Sequence, residues 1–330
     1  MTVSVVIPLY NKARHIERAV HSVLQQTYPA IEVIVVDDGS TDGGGEIVRN
    51  IVDHHVRVVT TENRGVSAAR NLGSKLASTD LVAFLDADDE WLPHFLVTVM
   101  DLHKRFPDAG ICATAYQICS KNGALISPTF SKVPTYTEGG LIEDYFNAAC
   151  YCGPLISSSI VLRKTALDKA GGFPEHIRRN EDLDTWMRVA LRYAVAWSPR
   201  PAVIWHSDAE SRATHSIPYG VPPFSDSLHQ FEQQNCLPSS SYRIESVKEY
   251  IAKNELRFVM YNLLSGHKQL ALSLLHACRF TKMFRRNWYA LRLIAMLPFP
   301  LIVVVWKGYE MKLGRKPVLP TCCNIRRTVP

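Results

Sequence analysis

Short apolar runs rich in β-branched residues alternate with stretches of helical period over the first 120 residues. Residues 3–7 read Val-Ser-Val-Val-Ile, the composition of a strand buried on both faces. Ile16, Ala19, Val20, Val23 and Leu24 then recur at helical spacing, and Thr27-Tyr28-Pro29 ends them. Residues 31–36 give a second strand, 56–60 a third and 81–85 a fourth, with a helix over 66–77. The next helix runs from about 93 to 104 and carries Phe95, Leu96, Val99 and Leu102, with Pro93 permissible in its first turn. Residues 111–118 return to strand. Strands separated by helices of this length predict an α/β fold, a mostly parallel twisted sheet with helices on both faces.

From about 120 to 160 the chain is irregular and broken by Gly and Pro, with residues 159–162 as a strand. Gly171-Gly172-Phe173-Pro174 follows, then a helix over 182–193 with Leu183, Trp186, Met187 and Ala190 on one face. Residues 202–205 are a further strand. Ser, Pro and His fill 207–243, which reads as loop, and the period is helical again over 244–292. The expected division is a catalytic domain over 1–215 and a loop and helical extension over 216–330.

Charge sharpens that division. The whole chain of 330 residues carries +6, yet residues 279–330 hold eleven Lys/Arg against the single acid Glu310. The tail is therefore +10 and the body −4, so the basicity is no general nucleic-acid footprint. Eight cysteines at spacings that make no zinc site, Cys150 with Cys152 and the adjacent Cys322-Cys323 among them, read as structural thiols in a reducing compartment. The first apolar run meets Pro8 after five residues, so it is a strand and not a signal peptide. The body is expected in the cytoplasm.

Two strand ends are acidic: Asp37-Asp38 after the second strand and Asp86-Ala87-Asp88 after the fourth. In an open parallel sheet, ligands bind beyond the carboxyl ends of the strands. Crowded carboxylates there need a cation or donors to stay ionised, and Mg²⁺ or Mn²⁺ with substrate phosphates supplies the former. No Gly-x-Gly-x-x-Gly follows the first strand, and Gly43-Gly44-Gly45 lacks the Lys-Ser/Thr of a P-loop. A dehydrogenase and a P-loop ATPase are excluded.

Pro8-Leu9-Tyr10-Asn11, Asp37-Asp38-Gly39-Ser40-Thr41-Asp42, Asn63-Arg64-Gly65 with Ala69-Arg70-Asn71, Asp86-Ala87-Asp88-Asp89, and Gly171-Gly172-Phe173 before Glu181-Asp182 stand in this order. Together they resemble family 2 glycosyltransferases of the bacterial surface-polysaccharide type, over about residues 1–212. The resemblance implies a GT-A fold and inverting transfer from a nucleotide-diphosphate sugar, most often a UDP-sugar. Pro8 and Tyr10 would wall the base pocket and Asp38 would accept from the base. Arg70 would approach the diphosphate, Asp86 would face the ribose or sugar, and Asp88 would hold Mn²⁺ or Mg²⁺. Asp182 would be the general base, with Asp184 the lesser candidate. His206, with Ser211-Arg212 downstream, would stand near the metal or diphosphate, and Trp91 would wall the pocket.

Other readings stay open from the residues alone. Glu181 and Asp182 begin a helix, where acids cap free amides and complement the dipole. A lone His such as His206 is as readily structural. A sugar nucleotidyltransferase would need a Gly-rich, Lys/Arg-bearing loop where Tyr10-Asn11 stands. A sugar- or nucleotide-binding module without catalysis would not need Asp88 and Asp182. The chain lacks the Gln-x-x-Arg-Trp of processive members of the family, so addition of a single sugar is expected.

Residues 293–306 are apolar but contain Pro298 and Pro300, and fourteen residues of helix reach only about 21 Å, short of a bilayer core of about 30 Å. Cations flank them on both sides. This pattern suits a peripheral contact with an anionic membrane at its inner face, which points to a glycan or polyprenyl-linked acceptor; a helix packed on the catalytic domain is the other reading.

Overall fold

The computed structural model describes residues 2–177, 179–207, 220 and 244–312, with side chains as far as 306. Strands β1 (Val3–Leu9), β2 (Glu32–Asp37), β3 (Val56–Thr60) and β4 (Leu81–Phe84) alternate with helices α1 (Ala13–Leu24), α2 (Gly44–Arg49) and α3 (Val66–Leu76). Next come β5 (Glu90–Trp91), α4 (Phe95–Arg105), β6 (Ile111–Cys119), β7 (Leu125–Ile126), β8 (Gly140–Leu141) and α5 (Tyr145–Cys150). The body ends with β9 (Ile160–Arg163), α6 (Lys164–Lys169), α7 (Glu181–Ala190) and β10 (Val195–His206).

All these strands form one sheet with the order β3-β2-β1-β4-β9-β6-β10-β5, to which β7 adds on β6 and β8 on β10. The long pairings, β1 with β2, β2 with β3 and β6 with β10, are parallel. β9 lies antiparallel between β4 and β6, and the short β5, β7 and β8 pair antiparallel as well. β9 enters after the long, irregular 120–160 connection, which carries the short β7 and β8 and the helix α5, and pairs antiparallel on both sides.

Side-chain alternation divides the core. Val3, Val5, Ile7 and Leu9 of β1 pack with Ile16 and Val20 of α1 and with Phe95 and Val99 of α4 on one face. Val6 of β1, Ile34 and Val36 of β2 and Phe84 of β4 face α3, α5 and α7, with Phe146 and Trp186 at the centre. Helices thus cover both faces, as the sequence pattern predicts.

α5, within the stretch read as irregular, is the main addition. It is too short to show a period, yet Tyr145, Phe146, Ala148, Ala149 and Cys150 are all buried. The amino-terminal part of β10, residues 195–201, also escapes the pattern. It contains Pro199 and Pro201, and its pairing with β6 shifts register at Ser198/Pro201 and Pro201/Val203, so the alternation breaks there.

The carboxyl-terminal part is helical: α8 (Ile244–Leu264), α9 (Lys268–Ala277), α10 (Arg285–Met296) and α11 (Phe299–Lys312). Val247, Tyr250 and Ile251 of α8 enter the core of the body, beside Tyr145 and Phe146. Farther along α8, Leu256, Val259 and Leu263 start a separate core with Leu274, Leu275, Leu291 and Ile302. Pro298 and Pro300 fall at the break and in the first turn of α11, where a missing amide costs nothing. No helix among the described residues is long and apolar enough to cross a membrane. The expected boundary at 215/216, Ser211-Arg212, most of the expected loop over 207–243, and Cys322-Cys323 lie outside the described residues.

Candidate active site

Four loops meet at the carboxyl ends of β1, β2 and β4. After β1, Asn11 adopts a left-handed backbone (φ 50°) that turns the chain into α1. Its amide donates to Ser40 Oγ at 3.1 Å, and its side-chain oxygen accepts from the Thr41 amide at 2.8 Å. Asp42 accepts from the Ala13 and Gly44 amides, at 2.8 and 3.0 Å, and so ties the starts of α1 and α2 together. Pro8 is buried, whereas Tyr10 is 49% exposed at the rim.

Asp37 and Asp38 are both buried but differ in use. Asp37 folds back on the Ser40 amide at 3.0 Å, and shapes its own turn. Asp38 accepts from the Arg64 and Gly65 amides, at 2.9 and 2.8 Å, at the start of α3. The aspartate expected at the nucleotide base therefore also satisfies amides that enter the next helix.

Arg70 joins the two acidic motifs. Its Nη2 donates to Asp86 Oδ1 at 2.7 Å and its Nη1 to Glu181 Oε1 at 2.9 Å, over the ring of Phe173. Only 3% of it is exposed. Burial opposes its charge, but Asp86, Glu181 and Asp182 outweigh burial and raise its pKa. Arg70, expected at the diphosphate, has both terminal nitrogens on carboxylates. Asn71 next to it bonds the backbone of Phe173 in both directions, at 2.8 and 2.9 Å, which docks the Gly-Gly-Phe turn. Gly172 has φ 70°, and a Cβ there would press on the Asn71 side chain, so the turn needs glycine.

The acidic turn after β4 is built around Ser158. Its hydroxyl donates to Asp89 Oδ2 at 2.5 Å and accepts from the Asp86 amide at 3.1 Å. Its carbonyl accepts from Trp91 Nε1 at 2.6 Å. Trp91 is buried and stacked on Phe95 at 4.2 Å, so it packs the core and does not wall the pocket. Asp88 Oδ2 stands 3.0 Å from Lys12 Nζ, and Arg18 donates to the Asp88 carbonyl at 2.7 Å. His206 reaches the same turn from β10: its amide donates to Asp89 Oδ1 and its Nε2 lies 3.2 Å from Glu90 Oε2. The His206 hydrogen bond, with Arg18 nearby, lowers the Glu90 pKa against burial.

At the start of α7, Asn180 is left-handed (φ 58°) and aims Glu181 and Asp182 at the site. Asp182 Oδ1 accepts from the Leu183 amide at 2.7 Å, and Ser157 Oγ lies 3.4 Å from Oδ2. Asp182 thus takes a free amide of its own helix start and is only half-buried. Burial raises its pKa, against Arg70 and the Leu183 amide. Glu181 rises too, through burial and Asp182, against Arg70. Asp184 is buried against Arg188 Nε at 2.7 Å, and so belongs to the helix and not to the site.

Asp88 offers a carboxylate oxygen of the kind a hard divalent cation takes, and nearby Glu90 meets the His206 imidazole of β10, but among the described residues no three such side chains gather closely enough here to hold an ion. The cluster Asp53, His54 and His55, whose ligand atoms lie within 4.8 Å of one another, precedes β3 and so sits at the opposite edge of the sheet. Lys12, Ser157, Ser158, Asp89, Glu90 and Glu181 are the site residues that sequence reasoning missed. Asp89 and Glu181 sit inside the quoted motifs and Lys12 directly follows one, so their charge was legible, while the serines carried no pattern.

A sequence model described as "Glycosyl transferase family 2" matches residues 4–168, half of the chain. The chain belongs to glycosyl transferase family 2. An uncharacterised glycosyltransferase of Nostoc sp. is 32% identical over 174 residues, 51% of this chain and 53% of that protein. The uncharacterised glycosyltransferase YibD of Escherichia coli is 42% identical over 101 residues, 30% of this chain and 29% of its own. The family 2 chain thus spans about half or less of the length of these curated relatives. Residues 1–349 of Staphylococcus aureus TarS, solved in complex with UDP-GlcNAc, superpose with a TM-score of 0.61 at 18% identity, covering 100% of this chain and 98% of that one. That likeness is one of fold, and with the family match it makes the architecture GT-A type.

Proposed function

We propose that this chain is a metal-dependent, inverting glycosyltransferase. It moves one sugar from a nucleotide-diphosphate sugar to a glycan or lipid-linked acceptor in cell-surface glycan assembly. One observation carries the reading: Asp38 follows β2, Asp86 and Asp88 share the turn after β4, Asp182 stands at the start of α7, and Arg70 links Asp86 to that helix start. Uridine as the nucleotide is supported by the fold likeness to TarS, which was solved with UDP-GlcNAc.

In this reading, exposed Tyr10 and buried Pro8 wall the base pocket while Asp38 accepts from the base. Asp86, held at 2.7 Å by Arg70, faces the ribose or sugar, so Arg70 positions a donor contact and does not itself touch the diphosphate. Asp88, with His206 nearby, would hold Mn²⁺ or Mg²⁺. That cation would stabilise charge on the departing nucleoside diphosphate. Asp182 takes the proton from the acceptor hydroxyl. Its raised pKa makes it a stronger base than an exposed aspartate, and the Leu183 amide fixes its orientation. A nucleotidyltransferase is disfavoured, because the loop after β1 is tied through Asn11 to Ser40 and Thr41 of the loop after β2 and carries no glycine-rich phosphate cradle.

The test is transfer and donor hydrolysis across UDP-sugars, with Mn²⁺ present or chelated. Asp182→Asn is expected to lower kcat by about 10² to 10⁴ while UDP still binds. The wild-type rate should fall with acid, because protonation removes the base, and the limb should lie above the ordinary aspartate range. An unchanged rate in Asp182→Asn overturns the base assignment, and full activity under chelation overturns the metal assignment.

A further inference from the structure

The Lys12–Asp88 pair is where the site holds a cation of its own. Lys12 immediately precedes α1, and its backbone is pinned on both sides, by Asn11 on Ser40 and Thr41 and by the Ala13 amide on Asp42. Its four-carbon stem is the mobile part. The ammonium ends 3.0 Å from Asp88 Oδ2, with 14% of the lysine side chain and 10% of the aspartate side chain exposed. Arg18, farther along α1, donates to the carbonyl of the same aspartate. Lys12 at the carboxylate and Arg18 at the carbonyl thus set positive charge against the aspartate assigned above to the metal.

An ammonium and a divalent cation cannot both sit about 3 Å from one carboxylate oxygen in a shielded turn without strong mutual repulsion. An ammonium on a flexible stem, unlike a rigid guanidinium fork, is also a point charge that re-aims readily, and it suits phosphate oxygens. We propose that Lys12 competes with the divalent cation for Asp88, and that the nucleoside diphosphate resolves the competition by offering the ammonium its own oxygens. Lys12 is then a specificity device of the donor site. Metal alone is held weakly because it must displace the lysine, and metal with diphosphate is held well because the lysine gains a new partner. This couples the two ligands reciprocally.

The inference rests on the assignment of Asp88 as a metal ligand, and one experiment separates the two. Mn²⁺ binding to the full chain is measured by the loss of the free-ion paramagnetic resonance signal, with and without UDP. In Lys12→Met, Mn²⁺ alone should bind roughly 10- to 100-fold tighter than in the wild type, the range of a charge-assisted contact. The gain in Mn²⁺ affinity on adding UDP should shrink in the same variant. Lys12→Gln, which keeps a donor without the charge, serves where the methionine variant does not fold. Unchanged or weaker Mn²⁺ binding in the Lys12 variants, with binding lost in Asp88→Asn, overturns the competition and leaves the metal assignment standing. Binding unchanged in Asp88→Asn overturns both.

Discussion

Glu181 sits one residue before the proposed base and is held by Arg70, so its protonation reports on the whole carboxylate set. Burial and Asp182 push its pKa from 4.5 up to about 7. A carboxyl with a raised folded-state pKa binds its proton more tightly folded than unfolded. Its stabilising contribution is therefore complete below about 4.5 and is lost as pH rises toward 7. In Glu181→Gln that loss should vanish, and the fall in thermal stability between those pH values should be visibly shallower than in the wild type. An identical slope would mean that Arg70 keeps Glu181 ionised throughout. Asp182 shares the environment but keeps solvent contact, which is the difference between a positioning acid and a base that can reach an acceptor.

At the scale of elements, α3 does most to assemble the site. Asp38 takes the amides before its first turn, Arg70 leaves it toward Asp86 and Glu181, and Asn71 docks the Gly-Gly-Phe turn. The helix must lie close to β1 to do this, and Gly73 permits the approach. A Cβ at Gly73 would press into the Val6 side chain at the middle of a buried strand, which has no room to yield. Gly73→Ala should cost about 1–3 kcal/mol by overpacking, read as a lower urea midpoint at unchanged slope. It should also weaken UDP binding, because the Arg70 end of the helix moves with it. A variant as stable as the wild type would show that the helix can shift without consequence.

At the scale of the molecule, the described part of the basic tail has two characters. On α10, Leu291 and Ala295 face the helical core, while Leu293 and Met296 are 66% and 74% exposed. Phe299, Leu301 and Val304 continue the exposed apolar surface on α11, and Arg285, Arg286 and Arg292 stand exposed beside it. This segment therefore has one side packed on the helical core and the other open. Apolar side chains edged by cations suit the face of an anionic bilayer, which is the membrane contact proposed for this chain. The full chain is expected to co-sediment with phosphatidylglycerol vesicles and to be released by salt. Reversing the three arginines to Glu should weaken vesicle binding by roughly a hundredfold or more, at about 1 kcal/mol per cation. Equal binding to neutral vesicles would remove the electrostatic part of the reading.

The sequence by itself determined the strands β1 to β4, the helices α1, α3 and α4, and the five motifs, but not the short α2. These are local properties: a buried strand needs an unbroken apolar run, an amphipathic helix needs its period, and the acidic motifs follow directly on strand ends. It could not show that β9 inserts antiparallel between β4 and β6, that β10 continues through Pro199 and Pro201, or that short α5 anchors α8. Those features depend on contacts between residues far apart in the chain, which no local pattern encodes. The site divides in the same way. Asp38, Asp86, Asp88 and Asp182 were legible because each stands at an element end in a motif. That Arg70 turns to carboxylates, that Ser158 builds the acidic turn and that Lys12 lies on Asp88 was decided by the tertiary structure. A buried charge takes its partner from whatever the packed fold brings within about 3 Å, and sequence spacing does not state that distance.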